Sequence, residues 1–230
     1  MIQRAIDSVA RRLQLAAARV HPGAAPAFLT QGMDPQLGVV ETWVREYLGR
    51  PHPELGRKGP VCPFSVPALN SGALWIASDE KVDGTSLWRL RWAVLGAAAA
   101  FERRAWQNPT PDLTALVLVF RRLPAERYAL LDRAHAQLKT ALMARDVMVS
   151  SLHPASTAPA LGNPAFPALR APFPAFAFRI MDVRDIVFVG HNELAFARYR
   201  SRFGQRFEKG LVTDDFGHLT AWREALKRFP

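Results

Sequence analysis

The chain has one cysteine, Cys62, in the run Gly59-Pro60-Val61-Cys62-Pro63-Phe64. A cysteine sulfur can act as a nucleophile or as a metal ligand. Pro63 has no N–H, so the sulfur lacks one local donor, and Cys62 is biased towards extended backbone. Arg57 and Lys58 bring positive charge close in sequence. The competing role is that of a small apolar core residue. A Gly/Pro loop poor in packing residues weakens that alternative. His153-Pro154 stands at the end of an expected strand, a usual place for functional groups. With Cys62 it could form a nucleophile–base pair, although sequence separation neither supports nor excludes contact. His52, between Pro51 and Pro53, is a second candidate histidine. His21, His135, His191 and His218 read as ordinary surface or helix positions.

Arg170 and Arg179 flank the Pro172/Pro174 turn. Two arginines near one strand could clamp a carboxylate, a propionate or a phosphate bidentately. The alternative for Arg179 is an ion pair with Asp182 or Asp185. No glycine-rich phosphate loop, His-Glu-x-x-His or Gly-x-Ser-x-Gly is present. The acids are few and dispersed, which argues against paired-carboxylate catalysis.

Positioning these groups requires a folded core. Helical spacing of Ile6, Val9, Leu13 and Ala17 predicts a first helix over about 2–20. Its arginines also suit an organelle transit peptide, but packing on the domain is the simpler reading. Asp34-Pro35 opens a second helix to about Gly49, with Asp as N-cap and Pro in the first turn. Prolines and glycines deny regular structure to 51–67. Strands are expected at 73–77, 114–120, 147–151, 175–181 and 186–189. Helices are expected at 86–106, 124–145, 192–207 and 219–229. Thr114–Phe120 is apolar on both faces and so should be central. Six prolines (154, 159, 164, 167, 172 and 174) mark 152–174 as one long loop. A structureless loop of that length is usually functional or disordered. On strict alternation, Arg179 shares a strand face with Ala175 and Ala177, opposite Phe176, Phe178 and Ile180. The order predicts a single α+β domain, with a mixed β-sheet, packed helices and a long Pro-rich loop. Residues 1–33 would form the N-terminal helix and connector, and 34–230 the core.

At 230 residues the chain can bury a substantial core. It is 49% hydrophobic and 22% charged, so it should fold. One cysteine excludes an internal disulfide framework and favours a reducing compartment, the cytoplasm. The longest apolar run, Trp92–Phe101, is too short to span a membrane. The charge of +10 and pI of 10.7 favour an anionic partner. The basic residues are scattered, and no strand alternates aromatic with basic residues, which argues against nucleic acid.

Two blocks carry a family resemblance. One is Gly56-Arg57 followed by Val61-Cys62-Pro63-Phe64. The other is His153-Pro154, then Asn163-Pro164-x-Phe166-Pro167-x-Leu169-Arg170-x-Pro172-x-Pro174, then Arg179-x-Met181 and Asp185. Over roughly 43–203 the chain resembles a mostly uncharacterised bacterial family. It is also distantly similar to the YqcI/YcgG group, which includes heme-dependent N-hydroxylases such as the N-hydroxy-arginine synthase of D-cycloserine biosynthesis. Leu152 stands where an aromatic residue is expected before His-Pro. The resemblance implies heme b with Cys62 as axial thiolate, a ligand that favours O–O cleavage. It makes Arg57, Arg170, Arg179 and His153 candidate propionate partners, with a distal place for His153 as an alternative. It also implies a small amino or guanidino substrate and a reductant or redox partner. Two other readings stay open: a heme-free cysteine enzyme with Cys62 as nucleophile and His153 as base, and a non-enzymatic binding module for an anionic partner.

Overall fold

The computed structural model describes residues 38–214 and 217–230. The helix expected at 2–20 and the Asp34-Pro35 start of the second lie outside the described residues. Helix α1 (Gly38–Trp43) continues as a π-helical turn, Val44–Leu48. After a loop come α2 (Ser65–Asn70), β1 (Leu74–Ser78), α3 (Leu87–Ala105), β2 (Ala115–Val119) and α4 (Ala129–Met143). Next are β3 (Val147–Leu152), β4 (Ala175–Ile180), α5 (Ile186–Val189), α6 (Glu193–Glu208) and α7 (His218–Arg228).

The four strands form one mixed sheet in the order β1-β2-β4-β3. β1 and β2 are parallel, joined by α3, while β4 runs antiparallel to both β2 and β3. The chain is thus a single α+β domain, as expected. Thr114–Phe120 contains a central strand, and its side chains are buried on both faces because both faces are covered.

Each sheet face has its own cover. Leu116, Leu118, Phe176, Phe178, Ile180 and Val149 pack under α3 and α4. On the other face, Leu74, Ile76, Val117, Val119 and Ala175 meet Val40 and Trp43 of α1, Ala68 and Leu69 of α2, and Phe173 from the long loop. A separate group around Tyr199, Phe196 and Trp222 joins α5, α6 and α7 to Met181 and Met143. Side-chain N-caps fix the starts of α3 and α6: Ser86 accepts from the Arg89 N–H, and Asn192 from the Ala195 N–H.

Two expectations fail. Ile186–Val189 is not a strand but helix α5, launched by an Asp182–Asp185 capping box in the preceding 3-10 turn. The stretch 51–67 is not wholly irregular, since Pro53–Leu55 makes a 3-10 turn and α2 starts at Ser65. Pro67 sits in the first turn of α2, where its missing N–H would have had no helical partner. The loop 152–174 does lack helix, and its one bridge pairs Ala160 with Asn163. It is packed down, with Phe166, Ala171 and Phe173 buried.

His135 on α4 gives a pH-dependent stability. Burial pushes its pKa below the ordinary 6.5, and this outweighs the bond to the Val149 carbonyl at 3.0 Å. The unfolded chain therefore binds more protons just below pH 6.5, so this contribution is complete above that pH and shrinks as pH falls. Melting temperature measured from pH 7.5 to 5 should fall less for His135→Gln than for the wild type.

Candidate functional site around Cys62

The Cys62 segment is held as a short antiparallel pair. Val61 N–H donates to Arg50 O at 3.0 Å and Cys62 N–H to Leu48 O at 2.8 Å, while Pro51 bridges Pro60. Ser65 Oγ donates to Cys62 O at 3.0 Å. Both backbone polar groups of Cys62 are thus satisfied, and its free thiol is half-buried. Arg57 wraps the turn, donating to Val61 O at 2.8 Å and Lys58 O at 3.1 Å.

The long loop clamps this segment. Asn163 Nδ2 donates to Glu54 O at 2.6 Å. Gly56 takes φ +75°, and a Cβ there would lie 2.5 Å from the Gly162 carbonyl oxygen, so only glycine fits. Leu55, Val61, Ala160, Phe166 and Ala168 bury one another. His52 stacks on Phe166 with ring centroids 4.4 Å apart. The two sequence blocks, about a hundred residues apart, therefore build one structural unit.

Positive charge gathers at the sulfur. Arg179, on the Ala175/Ala177 face of β4, forks onto the buried carboxylate of Asp185, with Nη1–Oδ2 at 2.6 Å and Nη2 on Oδ1. Burial pushes Arg179 down, but Asp185, with help from Cys62 and Asp182, outweighs it and leaves the pKa raised. Burial lowers Arg57, and Cys62 opposes that lowering. Both guanidinium groups thus feel the sulfur. Phe64, two residues past Cys62, has the guanidinium groups of Arg179 and Arg184 at 4.3 Å and 4.1 Å from its ring centroid. Asp182 accepts from Arg184 N–H at 3.0 Å and Nε at 2.8 Å. Burial raises the Asp182 pKa, but these bonds more than offset it and hold it below the usual range.

His153 is elsewhere. Its Nε2 lies 3.1–3.2 Å from both carboxylate oxygens of Asp132 on α4, and the residue is 2% exposed. Ser151 Oγ also donates to Asp132, at 2.8 Å. Leu152 pairs with Ala175, and Arg179 lies four residues further along β4, roughly 13 Å at strand spacing. His153 therefore stands at the far end of the sheet and on the α4 face, so the structure does not join it to Cys62 as a base. Arg170 is exposed, with Nε on Ser156 O at 3.2 Å, and its carbonyl accepts from Trp43 Nε1. It forms no clamp with Arg179, whose fork is taken by Asp185. The structure groups Arg57 and Arg179 with the Cys62 segment and adds Phe64 and Arg184, which no motif singled out. The Asp182-x-x-Asp185 spacing was the available signal, since it fixes the turn carrying Arg184. Of the histidines, His52 belongs to the Cys62 unit. Its Nδ1 accepts from Glu54 N–H at 3.2 Å.

Among the described residues, no three His, Cys, Asp or Glu side chains gather to hold a metal ion. No helix of the described residues is long and apolar enough to cross a membrane. Residues 37–214 match the family described as a domain of unknown function, DUF6875. The chain belongs to that family. No curated protein and no solved structure matches it.

Replacing Gly56 by Ala should destabilise the chain by more than the ~1–2 kcal/mol of a left-handed non-glycine residue, because the Gly162 carbonyl must also move. Urea denaturation measures the loss, and faster alkylation of Cys62 should accompany it.

Proposed function

We propose that the chain is a heme-thiolate oxygenase with Cys62 as axial ligand, N-hydroxylating a small amino or guanidino substrate. The observation that supports this best is a half-buried sulfur on a backbone fixed at both N–H and C=O, with Arg57 and Arg179 in its field. A ligand to iron needs a fixed sulfur with its negative charge balanced, and one thiolate suffices without a cage of further side chains. For the alternative of a cysteine nucleophile, the expected base His153 is engaged with Asp132 at the other end of the sheet.

Cys62 would hold the iron. Arg57 and Arg179, whose fork donors are taken by the Val61 and Lys58 carbonyls and by Asp185, would balance the charge of the sulfur, while His153 is engaged with Asp132. Bound heme would supply oxygen activation, which thiolate donation promotes. The chain fixes the sulfur, balances charge through the two arginines, and shields the loop with Phe64 and Phe166. Turnover needs a reductant or redox partner. The family resemblance supports heme b, and the single cysteine supports a cytoplasmic setting.

The ultraviolet–visible spectrum of protein expressed with heme precursor tests this reading. The expected result is a Soret band whose reduced carbon monoxide adduct is strongly red-shifted, and Cys62→Ala should lose that shift and most of its heme. A featureless spectrum, with no heme taken up on reconstitution, would move the assignment to Cys62 as a nucleophile without heme.

A further inference from the structure

A cavity of about 300 Å³ lies between α6 and the segment that follows α7. Glu193, Ala197, Arg200 and Ser201 line it from α6. They stand at positions i, i+4, i+7 and i+8, so they share one helix face. Phe196 and Phe229 give it an apolar wall, their rings tilted against each other with centroids 6.0 Å apart. Two features keep the space open. Ala197, in the middle of the face, offers only a methyl group. Phe229 leaves the helical path of α7 at φ −132° and ψ 75°, so the chain turns and Pro230 joins the lining.

The charged groups of this lining are unspent. Nearby arginines of α6 are committed, Arg198 to Asp146 and Arg202 to Asp112. Glu193 and Arg200 are exposed, and neither forms a hydrogen bond or an ion pair among the described residues. They also cannot answer each other. Helical ion pairs form three or four residues apart, whereas these two are seven apart, about 10 Å along the axis. The cavity therefore holds opposite charges towards its two ends and an apolar wall of two phenylalanines.

We propose that this cavity binds a small zwitterion with an apolar stem, its carboxylate on Arg200 and Ser201 and its ammonium group on Glu193. The planar guanidinium presents paired donors that match the two oxygens of a carboxylate. The volume is at the small end of ligand sites, which run from about 300 Å³ upwards. A plain anion or a plain cation leaves one of the two charges unmet. An α-amino acid carries both charges at one end and cannot span the site with them, whereas a carboxylate and an amine at opposite ends of an alkyl chain can. The site goes beyond the oxygenase reading and does not depend on it, since neither Cys62 nor heme takes part.

The test is a calorimetric titration of the full-length protein with 6-aminohexanoate. Saturable binding at one site is expected. Hexanoate and hexylamine, each with one of the two charges, should bind about 5-fold more weakly, the loss of one exposed charge contact. Glu193→Gln and Arg200→Gln should each weaken 6-aminohexanoate by a similar factor. Ala197→Leu fills the space and should abolish binding with the melting temperature unchanged. Arg206→Gln, on α6 but outside the lining, should bind as the wild type does. Absence of saturable binding overturns the proposal. So does binding that Ala197→Leu leaves intact, because the ligand then sits elsewhere. Equal binding of hexanoate, hexylamine and 6-aminohexanoate overturns it too, because the site then reads no pair of charges. If Ala197→Leu melts lower, the two charge variants decide: they leave the packing alone, and unchanged affinity in both sinks the assignment.

Discussion

The two faces of β4 carry different side chains, and the rest of the molecule follows from that difference. Phe176, Phe178 and Ile180 fill the space under α3 and α4. Ala175 and Ala177 on the other face are small, so α1 and the Pro-rich loop can approach the sheet closely. The third residue on that small face is Arg179. A guanidinium there is largely out of water, and an unpaired buried charge would be strongly destabilising. Asp185 answers it, held 1% exposed by the capping box that also starts α5. One alternation pattern thus fixes the closely covered face, the buried cation and the turn that carries Arg184.

That face explains why the Cys62 segment needs the Pro-rich loop. Residues 51–64 contain few apolar side chains and only a 3-10 turn, so they cannot bury a core of their own. Phe166, Ala160 and Ala168 supply the missing surface around Leu55 and Val61. The contact at Gly56 and Gly162 is backbone on backbone, closer than any side chain permits. Prolines in the loop reduce the entropy lost on ordering it, because their φ is already fixed. A long loop without helix can therefore serve as a rigid wall.

Much of this was legible in the residues. The strands at 73–77, 114–120, 147–151 and 175–181 were found within about two residues because each is a β-branched or aromatic run bounded by turn residues. The face of Arg179 followed from alternation alone. What failed was arbitration over short pieces. Ile186–Val189 has four apolar residues, which suits a strand or a buried helical turn equally, and only the preceding Asp182-x-x-Asp185 spacing separates them. Helix α2 was hidden by Pro67, because a proline in the first turn and a proline that breaks a helix look alike until the N-terminus is placed. The association of the two motif blocks was visible as a resemblance but not as a contact.

The position of His153 shows where sequence logic must yield to topology. A cysteine and a histidine, each at a loop, invite pairing into a catalytic dyad. Alternation along β3, however, puts His153 on the face of Ser151, and Ser151 faces α4 through Asp132. Strand direction then decides the end. β3 runs antiparallel to β4, so the residue after Leu152 lies beside the start of β4, whereas Arg179, with Phe64 of the Cys62 segment against it, lies near its finish. The second step needs only the strand order β2-β4-β3 and the antiparallel pairing of β3 with β4. The order itself depends on which strand inserts beside β2, a long-range choice that no local pattern records. Once β4 takes that place, the charged neighbours of Cys62 are Arg57 and Arg179, and His153 is left to Asp132.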